Sequence, residues 1–251
     1  MTLLEVRSAT KHFGGVTALD EVSISVDAGE VVALVGDNGA GKSTLVKTIA
    51  GYLPPDHGEI RWRGEPVDLR HPTDATALGI ETVYQDLALC DNLDTVQNLF
   101  LGREKVMYGL FGRRLARAEM EKQARAALDG LNIVTLKSLR TPIGKLSGGQ
   151  RQSVAVCRSI LTDPQLVLLD EPTAALGVAQ RREVLDLIRR VRDQNRGVLL
   201  ISHDLADVKE VSDRVVVLRL GRTVAELDGA SCTHEELIAH ITGAATGGVS
   251  S

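Results

Sequence analysis

The sequence predicts an α/β fold: a buried, largely parallel sheet, an N-terminal antiparallel β layer, and an α-helical segment inserted into the middle of the chain. Three observations carry that reading. Apolar runs of strand length, "VVALV", "LVLL" and "VVVL", recur without polar alternation, as strands covered on both faces do. Beyond Pro164 such runs alternate with helical stretches. The first part of the chain instead carries closely spaced β-rich runs separated by turn residues.

Taken in order, Leu3 to Phe13 and Val22 to Val26 read as strands, "DAGE" as a turn and Val31 to Val35 as a buried strand. That strand runs directly into "GDNGAGKSTL", after which Ser43 to Ala50 reads as a helix closed by Gly51. A strand pair around "GEIRWRGEPV" completes the β layer, framed by Pro54 and Pro55 before it and Pro72 after it. From about Pro72 to Thr162 the pattern is mostly helical around a strand at "IETVY". "ARAEMEKQARAALDGL" shows apolar positions at helical spacing with a solvated charged face. The helical insertion is placed at about 86–162. After it come the strand "QLVLLDE", a helix from Val178 to Gln194, the strand "GVLLISH", a short helix, "RVVVLRLG" and "RTVAEL". Residues 1–243 are expected to form one domain and 244–251 a flexible tail.

At 251 residues, 43% hydrophobic and 25% charged, the composition is that of a soluble globular chain able to bury a sizeable core. A net charge of -4 offers no excess of cations for a phosphodiester backbone, which argues against nucleic acid as a partner. Cys90, Cys157 and Cys232 form neither a paired framework nor a metal spacing and read as small buried hydrophobes in a reducing cytoplasm. The five histidines other than His203 show no ligand spacing, so no zinc site is expected. The chain start is charged and alternating, unlike an export signal. Its apolar runs fall far short of the roughly 20 residues that cross a bilayer, so a membrane role would come through a partner.

"GDNGAGKS", Gly36 to Ser43, fits GxxxxGK[ST] between an apolar strand and a helix, the context that pattern requires of a phosphate loop in a P-loop NTPase core. Through Gly36, Asp37, Asn38, Gly39, Ala40 and Gly41 the backbone N–H groups converge on phosphate oxygens, aided by the helix dipole. Lys42 bridges the β- and γ-phosphates, Ser43 ligates Mg²⁺, and Thr44 donates to a phosphate oxygen. "LVLLDEP" ends a buried strand with two carboxylates that need a cation nearby. This places Asp170 at Mg²⁺ and Glu171 beside the attacking water. His203 closes "GVLLISH" at the ligand-binding edge of the sheet, either as a turn residue or as a contact to the γ-phosphate. Gln85 follows "IETVY" and is a candidate Mg²⁺ contact, while Phe13 either packs into the core or stacks under an adenine ring.

"LSGGQ" then places Ser147 at the start of an apolar-periodic helix, an N-cap and potential anion site. The series of phosphate loop, glutamine, LSGGQ, Asp-Glu strand end and histidine has intervals of 105 residues from Lys42 to Ser147, 23 on to Asp170 and 33 on to His203. It resembles the ATP-binding subunits of ABC transporters from Leu3 to about Thr242. Leu78 to Glu104, together with "GDNGAGKSTL", is most similar to ATPases of monosaccharide importers.

The resemblance implies that Ser147, Gly148, Gly149 and Gln150 act in trans on ATP held by a second copy of the chain. It implies a homodimer bound to a permease at the cytoplasmic face of the membrane, and indirectly to a solute-binding protein. Where the family usually has an aspartate after "SAL", this chain reads "AALG" and places Gly177. The runner-up, a soluble ATPase of the same type acting on DNA or ribosomes, calls for a long coiled-coil insertion, or for two ATPase domains with a basic linker. The 105-residue interval leaves no room for the first, and the sequence shows neither of the others.

Overall fold

A computed structural model describes residues 1–109, 112–136 and 138–244. The chain begins with two long strands, β1 (Thr2–Phe13) and β2 (Val16–Asp27), which pair antiparallel with Phe13 opposite Val16. After β3 (Val31–Val35) and α1 (Lys42–Ile49), β4 (His57–Trp62) and β5 (Glu65–Val67) extend the first pair. The result is a four-stranded antiparallel layer in the order β2-β1-β4-β5. The second strand starts six residues before the run the sequence suggests. Val16 to Asp20 continues the antiparallel pairing, with Val16 opposite Phe13, Thr17 opposite His12 and Leu19 opposite Lys11.

Two short elements follow, α2 (Pro72–Ala77) and β6 (Ile80–Val83), and then α3 (Thr95–Leu99). Next comes an antiparallel hairpin, β7 (Val106–Gly109) and β8 (Gly112–Leu115), inside the stretch expected to be helical. Gly109 and Gly112 weaken a helix there, and Val106, Met107 and Tyr108 suit an extended strand. The amphipathic helices α4 (Arg117–Gly130) and α5 (Gly148–Ile160) complete this region.

The remainder is β9 (Leu166–Asp170), α6 (Val178–Asp193), β10 (Gly197–Ile201), α7 (Leu205–Val211), β11 (Arg214–Arg219), β12 (Arg222–Asp228) and α8 (His234–Thr242). The expected tail, 244–251, falls almost wholly outside the described residues.

The main sheet has the order β12-β11-β3-β10-β9-β6, all parallel except the edge strand β12. Strand alternation sends successive side chains to opposite faces. Val32 and Leu34 of β3 pack under α1 and the antiparallel layer, whereas Val31 joins the cluster formed with α5 and α6. Every residue of β3 and β10 is buried, which explains their unbroken apolar composition. Four parallel neighbours, β3, β10, β9 and β6, therefore present their carboxyl ends side by side.

Candidate functional site

Each of those four ends carries one predicted group. β3 leads into the phosphate loop, β10 into Ser202 and His203, β9 into Asp170 and Glu171, and β6 into Tyr84 and Gln85. Two adjoining clefts open there. One runs between Val16–Ala18, the loop from Asn38 to Thr44, Gln85, Asp170 and Glu171. The other lies between Gly36–Asn38, Glu171 and His203 on one side and Leu205, Ile238, Ile241 and Thr242 on the other.

The loop's shape is set by glycine. Gly36, Gly39 and Gly41 have φ of 149°, 81° and 106°, a region closed to most side chains. A Cβ on Gly36 would run into the Leu218 carbonyl, and one on Gly41 into that of Ala18. The loop is thus wedged between β11 and β2. No side chain caps the N-terminus of α1, which leaves its first N–H groups facing the cleft. The Lys42 ammonium crosses the loop, donating to the carbonyls of Gly36 at 2.6 Å and Asp37 at 2.9 Å.

Burial lowers the Lys42 pKa, opposed by the nearby charges of Glu171, Asp37 and Asp170. Asp170 is displaced upward by desolvation and then by Glu171, with Lys42 pulling the other way. A buried cation, two crowded carboxylates and an uncapped helix end fit a polyphosphate with its divalent ion, since phosphate satisfies the helix end and the ion relieves the carboxylates.

Glu171 holds a left-handed backbone, φ 50°, and its N–H donates to the Ile201 carbonyl at 2.9 Å. Strain of that kind in a non-glycine residue is common at functional sites. Its Oε2 lies 3.2 Å from Nδ1 of His203, an otherwise largely exposed ring. His203 is therefore a partner of the strand-end acid. Tyr84 stands edge-on to Tyr52, with ring centroids 6.1 Å apart, immediately before Gln85. Phe13 is 46% exposed, which removes the core-packing alternative. Through its pairing with Val16 it stands at the rim of the first cleft.

The LSGGQ segment lies outside both clefts. Ser147 Oγ accepts from the Gln150 N–H at 3.3 Å, while Gln150 Oε1 accepts from the Ser147 N–H at 3.0 Å. This reciprocal cap opens α5, and replacing such a residue by alanine costs about 1 kcal/mol. Ser147 and Gly148 are exposed at the helix tip. A Cβ on Gly148 would come within 2.8 Å of Leu176 Cδ2, and one on Gly149 within 2.9 Å of Gln180 Cβ, so both glycines also serve close packing on α6 and the segment before it. Gly177 is the N-cap of α6 and has no side chain to cap with.

Two parts of the site were not legible in the residues singled out. The wall built by Ile238, Ile241 and Thr242 repeats at helical spacing, but nothing local indicates that α8 faces the phosphate loop. Arg181 of α6 pairs with Asp204 and Asp207 of α7, fixing the segment that follows His203. Only the fold brings those charges together.

Residues 19–174 match the family model for the ABC transporter. The chain is 46% identical over 245 residues to the fructose import ATP-binding protein FrcA of Rhizobium meliloti, covering 96% of this chain and 94% of that one. It is 44% identical over 247 residues to the xylose/arabinose import ATP-binding protein XylG of Sulfolobus acidocaldarius, covering 98% and 96%. The ribose import ATP-binding protein RbsA 1 of Rubrobacter xylanophilus is 39% identical, with 96% of this chain covering 47% of that longer protein.

Among solved structures, a nucleotide-free ATP-binding cassette from an ABC transporter superposes with a TM-score of 0.81 at 26% identity over 96% of both chains. An ATP-binding cassette of an ABC transporter in its ADP conformation also gives 0.81, at 28% identity. With the family model matching most of its length and the phosphate loop, acids and histidine on adjacent strand ends, the chain belongs to the ABC transporter family.

Proposed function

We propose that the chain is the ATP-hydrolysing subunit of an ABC importer that takes up a sugar through a separate permease. The observation that carries this reading is the row of four parallel strand ends that brings Lys42, Asp170, Glu171 and Gln85 to one cleft, with His203 against Glu171 in the adjoining one. Its similarity to sugar import ATP-binding proteins over nearly the whole chain supports the substrate class and disfavours a soluble ATPase working on DNA or ribosomes.

In this reading Phe13 supports the adenine, and the N–H groups from Gly36 to Thr44 hold the phosphates with Lys42. Ser43, Gln85 and Asp170 would hold Mg²⁺, which would supply positive charge to the polyphosphate. Glu171 orients the water and accepts its proton as the water oxygen bonds to the γ-phosphorus. The bond to the bridging oxygen then breaks, leaving ADP and phosphate. His203, hydrogen-bonded to Glu171, steadies that carboxylate and reaches toward the γ-phosphate. The exposed tip of α5, with Ser147 and Gly148, completes the pocket of a second copy, Gly149 and Gln150 setting its packing and cap. ATP thus joins two chains.

The permease, at the cytoplasmic face of the membrane, meets the surface beside Gln85 and the groove lined by Val96, Phe100, Leu101 and Met120. A solute-binding protein delivers sugar to its far side. Phosphate release by the purified chain, alone and with its permease, tests the reading. Hydrolysis that disappears in Lys42→Ala and rises on adding the permease supports it. No hydrolysis in either condition overturns it.

A further inference from the structure

The hairpin β7–β8 has no part in the nucleotide site and, among the described residues, pairs with no other strand. Every described residue from Leu101 to Tyr108 and from Gly112 to Leu115 is exposed. Met107 is 56% and Tyr108 79% exposed, beside Leu115 at 46%. The stretch from Arg103 to Arg117 holds five cations and one acid in a chain of net charge -4. Lys105, Arg114 and Arg117 form no ion pair among the described residues, and Arg113 stacks on Tyr108 at 5.8 Å from the ring centroid. The strand register puts Tyr108 opposite Arg113 and Met107 opposite Arg114, so both faces of the ribbon pair an apolar side chain with a cation.

We infer that this hairpin rests on the anionic headgroups of the membrane, with Met107 and Tyr108 entering the interface and Arg113 and Arg114 contacting lipid phosphates. Aromatic and long apolar side chains favour the headgroup level, and each nearby cation adds attraction to an anionic leaflet. Unpaired cations call for an anionic surface, and exposed apolar tips call for one they can penetrate. A folded acidic protein supplies only the first. The ribbon also continues from the groove assigned to the permease, since Leu115 and Arg117 line that groove. The inference takes its setting from the transporter reading, but binding to vesicles needs neither permease nor nucleotide, so the two can fail separately.

The full chain is sedimented with phosphatidylcholine vesicles, with and without phosphatidylglycerol. The expected result is binding only to the anionic vesicles, weakened by salt, and reduced about tenfold or more in Arg113→Glu/Arg114→Glu, with ATP hydrolysis unchanged. Met107→Ser/Tyr108→Ser should reduce binding several-fold while keeping the salt dependence. Circular dichroism confirms that both variants fold. No binding to anionic vesicles, or equal binding by the charge-reversed variant, overturns the inference. So does a charge-reversed variant that keeps vesicle binding but no longer associates with the permease, since the hairpin would then grip protein.

Discussion

Two glycine-rich turns open helices in this chain, and they are built differently. The phosphate loop uses left-handed glycines wedged against the carbonyls of Ala18 and Leu218, and it is supplied with a lysine, two acids and a histidine by its own sheet. The LSGGQ turn has no left-handed residue. It is held by a reciprocal cap and by close packing on Leu176 and Gln180, and its tip lies outside both clefts at the sheet edge. The first turn has the geometry of an anion site, whereas the second is a capped, exposed helix end. In the function proposed above, a chain carrying both is complete only in pairs.

The largest effect that bears on this contrast is at Glu171. Glu171→Gln is expected to bind MgATP as the parent does and to lose about a thousandfold in turnover, measured by phosphate release beside equilibrium binding. Turnover within a few-fold of the parent would remove Glu171 from the chemistry. Next come the glycines themselves. Gly41→Ala, at φ 106° and against the Ala18 carbonyl, should abolish nucleotide binding by a single chain. Gly149→Ala should leave that binding intact and lower hydrolysis about tenfold or more, because its Cβ displaces α5 from Gln180. If Gly149→Ala lost nucleotide binding as severely, the two turns would not be separable.

A smaller effect belongs to the adenine end. Asp56 accepts from Lys11 Nζ at 2.8 Å and from the His12 N–H at 2.7 Å, and so tethers the end of β1 that carries Phe13. Asp56→Ala should raise KM for ATP about threefold with kcat unchanged. The Lys11 hydrogen bond chiefly lowers the Asp56 pKa to about 2, so the tether is intact above the ordinary carboxylate range. It should release only as pH falls toward 2.

The smallest effect is on the ligand-free chain. Asp170 has its pKa raised by burial and by Glu171, so the unfolded chain ionises first and stability falls as pH rises through the carboxylate range. Asp170→Asn should therefore raise the melting temperature by a degree or two at neutral pH and leave it unchanged near about pH 3, while losing the stabilisation given by MgATP.

The parts of the site legible in the sequence are those whose chemistry is local. A buried strand running into GDNGAGKS, a DE pair ending LVLL and a histidine ending GVLLIS each declare their place because an apolar strand of a parallel sheet ends at its ligand edge. The hairpin at 106–115 was hidden because its arginines and the helical stretches around it outweigh a four-residue alternation. Its exposure leaves no apolar periodicity to read. The Arg181 pairs with Asp204 and Asp207, and the α8 wall, depend on how α6, α7 and α8 are brought together. For Phe13, composition left core and rim equally open, and only its exposure at the strand end decides.

Size measurement of Glu171→Gln with and without MgATP tests the pairing most directly. A monomer without nucleotide and a dimer with it are expected, the dimer being lost when Gly149→Ala is added. A chain that stays monomeric at saturating MgATP, or a dimer indifferent to the LSGGQ turn, would contradict it.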